Sequence, residues 1–266
     1  MKDSPRPRGG RFGTATTDVI EARPAPVHSI AFAGSKGGVG TTTMAVELSA
    51  MASADGFTVA LIDLVPRGDA HYRLDIPVPA TRHTVEDLLP LADELDGQTI
   101  DSAMPRSADG IRLLPSPDRI VDLDGLPRLV LSLSAFFELL VVDAGRLADT
   151  VGAAFEACES SVLVVTPDVV GVGDAGMLLD GMGDTAIDRR SLAVLLNRSL
   201  RGDDLISVRD VESYLGARVI SVLGEETALC RAAGDRGRFV HDGHSRLSES
   251  LNGLYHALLF PKRLDY

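Results

Sequence analysis

The stretch from Gly34 to Thr43 combines the residue types that bind phosphate groups. It reads Gly-Ser-Lys-Gly-Gly-Val-Gly-Thr-Thr-Thr, directly after a short apolar run and directly before a segment with helical spacing. Glycines allow backbone N–H groups to turn inward around an anion, and the N-terminus of the following helix adds partial positive charge. A threonine hydroxyl at the helix start can ligate magnesium. The stretch predicts a phosphate-binding loop, and a flexible turn with helix-capping threonines is the alternative. The candidate ligand-binding residues are consecutive: Lys36, Gly37, Gly38, Val39, Gly40, Thr41, Thr42 and Thr43.

Short apolar runs alternate along the chain with longer segments of helical spacing. The strand candidates are apolar on both faces and lie at 28–33, 58–63, 111–114, 138–143, 161–166, 192–197 and 218–222. The helix candidates lie at 42–54, 84–93, 124–136, 147–158, 172–182, 206–214, 225–233 and 245–260. This alternation predicts an α/β fold, with a doubly wound, mostly parallel sheet and helices on both faces. Ligands of such sheets bind at the carboxyl ends of the strands, where the predicted loop lies.

Length and composition limit the class of protein. The 266 residues are 45% hydrophobic and 24% charged, which is ordinary globular usage. We expect one nucleotide-binding domain at 27–266. The proline-containing tail at 1–26 lacks apolar periodicity and is predicted to be disordered. Two cysteines are too few for a disulfide framework or a zinc cluster. No window is apolar and long enough for a signal peptide or a membrane span, so a cytoplasmic location is expected.

Charge narrows the expected partners and singles out one side chain. The formal net charge is -12, so DNA is not an expected partner. Of the 26 basic residues, three are lysines: Lys2, Lys36 and Lys262. Two of them lie at the chain ends, and the third lies in the predicted phosphate loop. We therefore expect the charge of Lys36 to have a function.

The place of Lys36 near the start of the loop resembles the deviant phosphate loop of the MinD/ParA family, whose pattern is x-Lys-Gly-Gly-x-x-Lys-Thr. The matching residues are Lys36, Gly37, Gly38, Gly40 and Thr42. The resemblance implies a P-loop NTPase that binds ATP and Mg²⁺ and forms a homodimer around the nucleotide. It implies that Lys36 reaches the phosphates of the partner subunit and that Thr42 ligates the metal ion.

The form Ser-Lys-Gly-Gly-Val-Gly-Thr-Thr-Thr is similar to the CpaE/TadZ branch of that family and to related actinobacterial septum-site proteins. Further similar stretches lie at 61–69, 82–89, 162–168 and 194–198. The branch is associated with tight-adherence pilus assembly. The resemblance thus implies a protein that localises or assembles a polar pilus or secretion machine, in the cytoplasm at a cell pole or at the inner membrane face. A septum-site or cell-division regulator, a DNA-partition ATPase and a scaffold that binds no nucleotide are the alternatives.

Two departures from the family pattern predict that hydrolysis is weak or lost. Thr41 stands where the loop usually has a second lysine, which stabilises charge on the transferring phosphoryl group. Val65 stands where the second aspartate of Asp-x-Asp handles the attacking water, and valine cannot accept a proton. Lys36 and Asp63 remain as the candidate catalytic residues, and we expect at most a weak ATPase.

The ends of two later strand candidates carry further polar residues. Asp143 is placed like the Walker B aspartate of the family, and it joins Thr42 as a candidate Mg²⁺ ligand. Asn197 stands where the family has an asparagine that reads the adenine edge, and an asparagine that satisfies a turn is the alternative. His241 and His244 are interpreted as exposed residues of a polar turn, because two histidines without further suitable ligands do not make a metal site.

The last helix candidate, 245–260, carries leucines at helical spacing. Membrane association of such a helix is possible in this family, but membrane-binding helices are usually rich in Lys and Arg on the polar face. This one has Glu249, Asn252 and His256 there. We expect the helix to pack against the sheet.

Overall fold

The computed structural model of the chain describes residues 28–77, 79, 82–182, 189, 192–199, 206–234 and 238–260. The predicted tail at 1–26 lies outside these residues. Within them, seven strands form one sheet in the order β3-β2-β4-β1-β5-β6-β7, and every neighbouring pair is parallel. The strands are β1 (His28–Gly34), β2 (Val59–Asp63), β3 (Arg112–Leu114), β4 (Leu139–Gly145), β5 (Ser160–Val165), β6 (Ala193–Ser199) and β7 (Arg218–Gly224). The predicted parallel α/β fold is confirmed.

The helices connect successive strands and cover both faces of the sheet. They are α1 (Thr41–Ala54), α2 (Ala70–Arg73), α3 (Val85–Leu88), α4 (Gly97–Ala103), α5 (Leu126–Leu133), α6 (Ala148–Ala157), α7 (Val169–Gly181), α8 (Val208–Leu215), α9 (Thr227–Gly234) and α10 (Arg246–Leu259), with a 3-10 helix at Leu89–Glu94. None of the helices in the described ranges has the length and apolar character of a membrane span.

The side chains of β1 point alternately to the two faces of the sheet, and a separate apolar core lies on each face. Ile30 and Phe32 pack into one core with α1 and α10, whereas Ala31 and Ala33 pack into the other, which α5 to α8 cover. Successive side chains of a strand point to opposite faces, so each face of the sheet needs its own helical layer. This explains why the strand candidates are apolar throughout rather than alternating.

The C-terminal helix buries its apolar face as expected. Leu247, Leu251, Leu254, Tyr255 and Leu259 are each at most 3% exposed, and α10 packs against β7 and α1. The hydroxyl of Tyr255 also donates to the Asp55 carboxylate at 2.7 Å. The predicted packing against the sheet is therefore confirmed for the described part of the chain.

Helix boundaries are where the structure departs from the sequence-based expectations. The candidate 84–93 is divided into α3 and the 3-10 helix, because Pro90 cannot donate a backbone hydrogen bond. Helix α7 begins three residues before the expected 172, since Asp168 caps it by accepting from Gly171 N at 2.8 Å. Helices α2 and α4 were not predicted, as both are too short for a clear 3.6-residue period.

Strand β1 lies between β4 and β5. The chain leaves β1 toward β2 on one side of it, and the later connection from β4 to β5 crosses to the other side. In open α/β sheets a crevice forms at such a point, outside the carboxyl ends of the strands. The segment 35–40 leaves β1 at this end and leads into α1. The topology therefore brings the predicted phosphate loop to the crevice.

Candidate functional site

The segment between β1 and α1 has the backbone of an anion-binding loop. Gly38 and Gly40 have φ angles of 77° and 101°, in the left-handed region that side chains disfavour. A side chain on Gly40 would also collide with the amide of Asn197. Ser35 N donates to Val164 O at 3.0 Å and Met44 N to Gly40 O at 2.9 Å, which fixes both ends of the loop. Within the described residues, the backbone N–H groups of 36–38 and 40–43 donate no hydrogen bond, so they are open to a ligand.

A cavity of about 580 Å³ opens over this loop. The turns after β2 and β4 form its other walls. All eight loop residues predicted from the sequence line it, and so do Val65, Pro66, Asp69, Arg73, Ile120, Ala144, Gly145, Arg146, Leu147 and Arg198. A smaller cavity of about 260 Å³ adjoins it and is bordered by Asn197 and the start of α9. Together they could hold a phosphate chain and a further, larger group.

Lys36 forms an ion pair in the described chain. Its ammonium lies 3.1 Å and 3.2 Å from the two carboxylate oxygens of Asp168. Burial raises the pKa of Asp168, but hydrogen bonds from Thr166, Gly171 and Lys36 outweigh it, and the pKa lies below its ordinary value. The sequence identified Lys36 as important, whereas its partner lies 132 positions away and was not predicted.

Thr41 and Thr42 have different surroundings at the start of α1. Thr41 is buried, and its hydroxyl lies against Cα of Gly34, where no side chain would fit. Thr42 lies close enough to Asp143 for its hydroxyl to favour the charged carboxylate. The structure therefore brings together the two predicted magnesium ligands.

Asp63 ends β2, Asp143 lies two residues before the end of β4, and the two pair in the β2–β4 register. Both are at most 1% exposed. Burial, with a smaller contribution from Asp69, raises the pKa of Asp143 to about 6, while the Thr42 hydroxyl, the Gly145 N–H and the charge of Arg73 oppose the rise. Burial and the nearby Asp143 raise the pKa of Asp63 well above its ordinary value.

One oxygen of each buried carboxylate has a backbone partner and the other has none. Asp143 Oδ1 accepts from Gly145 N at 3.1 Å and Asp63 Oδ1 from Val65 N at 3.0 Å. Among the described residues, Asp143 Oδ2 and Asp63 Oδ2 are buried without a hydrogen bond of normal geometry. The described residues hold no group of three or more potential His, Cys, Asp or Glu ligands. Mg²⁺ typically takes one or two carboxylates, water and phosphate oxygens, so the free oxygen of Asp143 beside Thr42 fits this ion.

Val65 lies on the wall of the larger cavity. It packs closely over Gly145, where an added Cβ would come 3.0 Å from Cγ2 of Val65. An apolar side chain thus occupies the place from which a carboxylate could reach a water molecule in the cavity. Neither Asp63 nor Asp143 borders the cavity, and Asp63 accepts from the Val65 N–H. The Asp63 side chain therefore has no direct contact with this cavity, and its catalytic role stays a prediction.

The Asn197 side chain is buried, and both the nitrogen and the oxygen of its amide form hydrogen bonds. Nδ2 donates to Val39 O at 2.6 Å, and Oδ1 accepts from Arg198 N at 2.9 Å. Asn197 therefore holds the phosphate loop against the end of β6. It also borders the smaller cavity, so a contact with a base stays a prediction.

Three arginines on the cavity wall were not among the residues predicted from the sequence. They are Arg73 on α2, Arg146 after β4 and Arg198 at the end of β6. Arg198 has a φ angle of 61°, which is uncommon for a residue with a side chain. Arg146 and Arg198 follow strand candidates, so the sequence offered a signal for them. The four-residue helix that carries Arg73 is too short to show a helical period in the sequence.

His241 is not the exposed turn residue that the sequence indicated. Its Nδ1 lies 2.7 Å from the buried carboxylate of Glu47 on α1. Glu47 also accepts from Val240 N at 2.7 Å and from His241 N at 3.1 Å. These bonds attach the segment before α10 to the helix that follows the phosphate loop.

The sequence has detectable relatives. A family model described as an AAA domain matches residues 27–129. The chromosome partitioning protein ParA of Caulobacter vibrioides is 33% identical over 101 residues, which are 38% of this chain. That match spans 35% of the length of the Caulobacter protein.

The fold has close counterparts among solved structures. A ParA family ATPase from Chlorobium tepidum superposes with a TM-score of 0.74 at 20% identity, over 86% of this chain and 98% of that chain. The septum site-determining protein MinD of Pyrococcus horikoshii, complexed with Mg-ADP, superposes with a TM-score of 0.69 at 20% identity, over 88% and 96%. The chain thus has the same fold as these two structures.

Proposed function

We propose that the chain binds ATP with Mg²⁺ in the cavity over the 34–43 loop and dimerises in response. The observation that carries this proposal is the positive-φ glycine loop, which leads into Thr42 beside the buried carboxylate of Asp143. Such a loop is built for phosphate oxygens, and such a carboxylate for a cation that accompanies them. The Mg-ADP complex of the similarly folded P. horikoshii MinD supports the same choice of ligand.

The residues of the loop then have separate roles. The backbone of Gly37, Gly38 and Val39 to Thr43 would surround the phosphates, and Thr42 with Asp143 would hold Mg²⁺. The metal ion would supply neutralising charge beside the phosphate oxygens. Lys36 lies at the open edge of the cavity, where its ammonium could exchange Asp168 for the phosphates of a second subunit. Asn197 would keep the loop in shape and border the site of the base.

Hydrolysis in this arrangement would be slow. The cavity wall presents Val65 where a water-orienting carboxylate would be needed, and Thr41 has no charge to offer a transferring phosphoryl group. Phosphoryl transfer depends mostly on positioning and charge stabilisation. The nucleotide would therefore act mainly as a ligand that selects the dimeric state.

A dimer that persists with its nucleotide suits a protein that marks a position for other components. We propose a role in localising or assembling a polar pilus or secretion machine, with a cell-division regulator as the alternative. The CpaE/TadZ-like loop form supports the first, and the likeness to a septum site-determining protein supports the second. DNA partition is disfavoured by the net charge of -12, although the Caulobacter relative is a chromosome partitioning protein.

The proposal can be tested by nucleotide-dependent stability and mass. A ligand that binds only the folded state raises the unfolding temperature. We expect Mg-ATP to raise it for the full chain, and light scattering to show a dimer with Mg-ATP that Lys36→Ala fails to form. No shift with Mg-ATP or Mg-ADP would instead indicate a scaffold that binds no nucleotide. A salt-sensitive shift of duplex DNA at physiological ionic strength would favour DNA partition.

A further inference from the structure

The phosphate loop of this chain lacks a free cation of its own. Thr41 stands at the usual lysine position with its hydroxyl packed against Gly34, and Lys36 is bound to Asp168. A nucleotide triphosphate brings several negative charges into the cavity. Mg²⁺ and the backbone N–H groups would neutralise part of this charge, and a further cationic side chain would balance more of it.

Arg73 is in the right place to do so. It borders both the larger and the smaller cavity, and so do Gly40 and Thr43 of the loop. Its positive charge also acts on Asp143, the candidate magnesium ligand. The guanidinium is thus near the junction of the two cavities, beside the loop and the magnesium position.

The other arginines on the wall are less suited. Arg146 borders only the larger cavity. Arg198 also borders both cavities, but its side chain is more exposed than that of Arg73, at 42% against 35%, and it pairs with Glu225 at 3.9 Å. The partner of Arg73 is Asp69, at 3.2 Å, and the side chain of Asp69 is 53% exposed. An ion pair this exposed is weak, so phosphate oxygens could replace Asp69.

Helix α2, which carries Arg73, is anchored by buried residues at both of its ends. Ala70 and Leu74, at either end of α2, are at most 2% exposed, and α2 packs against α1. The turn that leads into α2 is fastened by Asp63, which accepts from Val65 N. Gly68 passes so close to the Asp63 carboxylate that no side chain would fit there. Asp63 is therefore placed to position Arg73 through this turn.

We propose that Arg73 binds the phosphate chain of the nucleotide and supplies the charge that the loop lacks at Thr41. Its planar guanidinium can donate two parallel hydrogen bonds to phosphate oxygens. On binding, Arg73 exchanges the carboxylate of Asp69 for these oxygens. The inference rests on the proposed function, since it requires that the cavity binds a nucleotide.

Calorimetric titration of the full chain with Mg-ATP and Mg-ADP tests this role. We expect Arg73→Gln to weaken Mg-ATP binding by about ten- to a hundredfold, the range for losing hydrogen bonds to a charged group. Mg-ADP should lose less, because it presents fewer phosphate oxygens. Arg73→Lys should recover part of the loss. Arg128→Gln is the matched control, because Arg128 also pairs with an aspartate, Asp93, at 3.2 Å but lies away from both cavities.

The outcomes separate this inference from the proposed function. If the wild type binds neither nucleotide, the proposed function fails and the role of Arg73 fails with it. If the wild type binds and Arg73→Gln binds equally well, or if Arg128→Gln is weakened as much, only the role of Arg73 is overturned. Loss in Arg73→Gln, partial recovery in Arg73→Lys and unchanged binding in Arg128→Gln support a contact between Arg73 and the phosphates.

Discussion

The ammonium of Lys36 contacts the carboxylate that caps helix α7, 3.2 Å from Oδ1 and 3.1 Å from Oδ2 of Asp168. The same carboxylate accepts from Gly171 N at 2.8 Å. Asp168 thus caps the N-terminus of α7 and also binds Lys36 of the same chain. A lysine that is to contact a second subunit must first leave this partner. If the proposed dimer forms through Lys36, this ion pair would oppose it.

Replacing Asp168 by asparagine should release Lys36 while keeping the helix cap, since asparagine is also a preferred cap residue. We expect the midpoint of Mg-ATP-dependent dimerisation to fall by about two- to fivefold, as suits a partly exposed pair worth less than about 1 kcal/mol. Light scattering against Mg-ATP concentration measures this. Asp174→Asn, on the same helix, is the control for the change of charge. An unchanged or higher midpoint in Asp168→Asn alone would show that the pair does not oppose dimerisation.

Val65→Asp should restore part of the missing hydrolytic machinery. The side chain lies on the cavity wall over Gly145, so a carboxylate there could orient a water molecule. A positioned base contributes about 10²- to 10⁴-fold, and we expect the lower end because Thr41 still lacks a charge. Single-turnover hydrolysis of ATP measures the gain. Val65→Asn is the control, because its amide is polar but cannot take a proton. Equal rates in both variants would exclude a base at this position.

The strands were predictable because their signal is local. The predicted strands 58–63 and 138–143 have continuously apolar centres at 59–62 and 139–142, and the observed β2 and β4 begin within one residue of the predicted starts. The loop was predictable because its chemistry lies in ten consecutive residues. By contrast, the Lys36–Asp168 pair and the Asn197–Val39 bond join positions more than 130 residues apart, and only the folded sheet brings them together. Arg73 had no local signal, as its helix is one turn long.

Asp143→Asn should stabilise the ligand-free chain while abolishing its dependence on Mg²⁺. Because the pKa of Asp143 rises from 3.8 to about 6 on folding, the folded state holds this proton more tightly. Its contribution to stability therefore falls as the pH rises from about 4 to about 6, and the loss persists at neutral pH. We expect Asp143→Asn to gain about 1–3 kcal/mol at pH 7 and nothing below pH 4.

Urea unfolding of ligand-free Asp143→Asn at several pH values measures this, and exposed Asp109→Asn is the control for the change of charge. The same variant should bind ATP equally with and without Mg²⁺, whereas the wild type should need the ion. A variant that is less stable than the wild type at pH 7 would mean that the buried carboxylate is satisfied in the ligand-free chain.

Asn197→Ala should separate the two roles considered for this residue. The substitution leaves Val39 O without the donor that lies 2.6 Å away, so we expect a loss of about 1–3 kcal/mol of stability. Because Val39 belongs to the loop, the affinity for Mg-ATP and Mg-GTP should fall by the same factor. A residue that reads the adenine edge would act differently, and its loss would lower the preference for ATP over GTP. Titration of wild type and variant with both nucleotides distinguishes these results, and a collapse of that preference would assign Asn197 to the base.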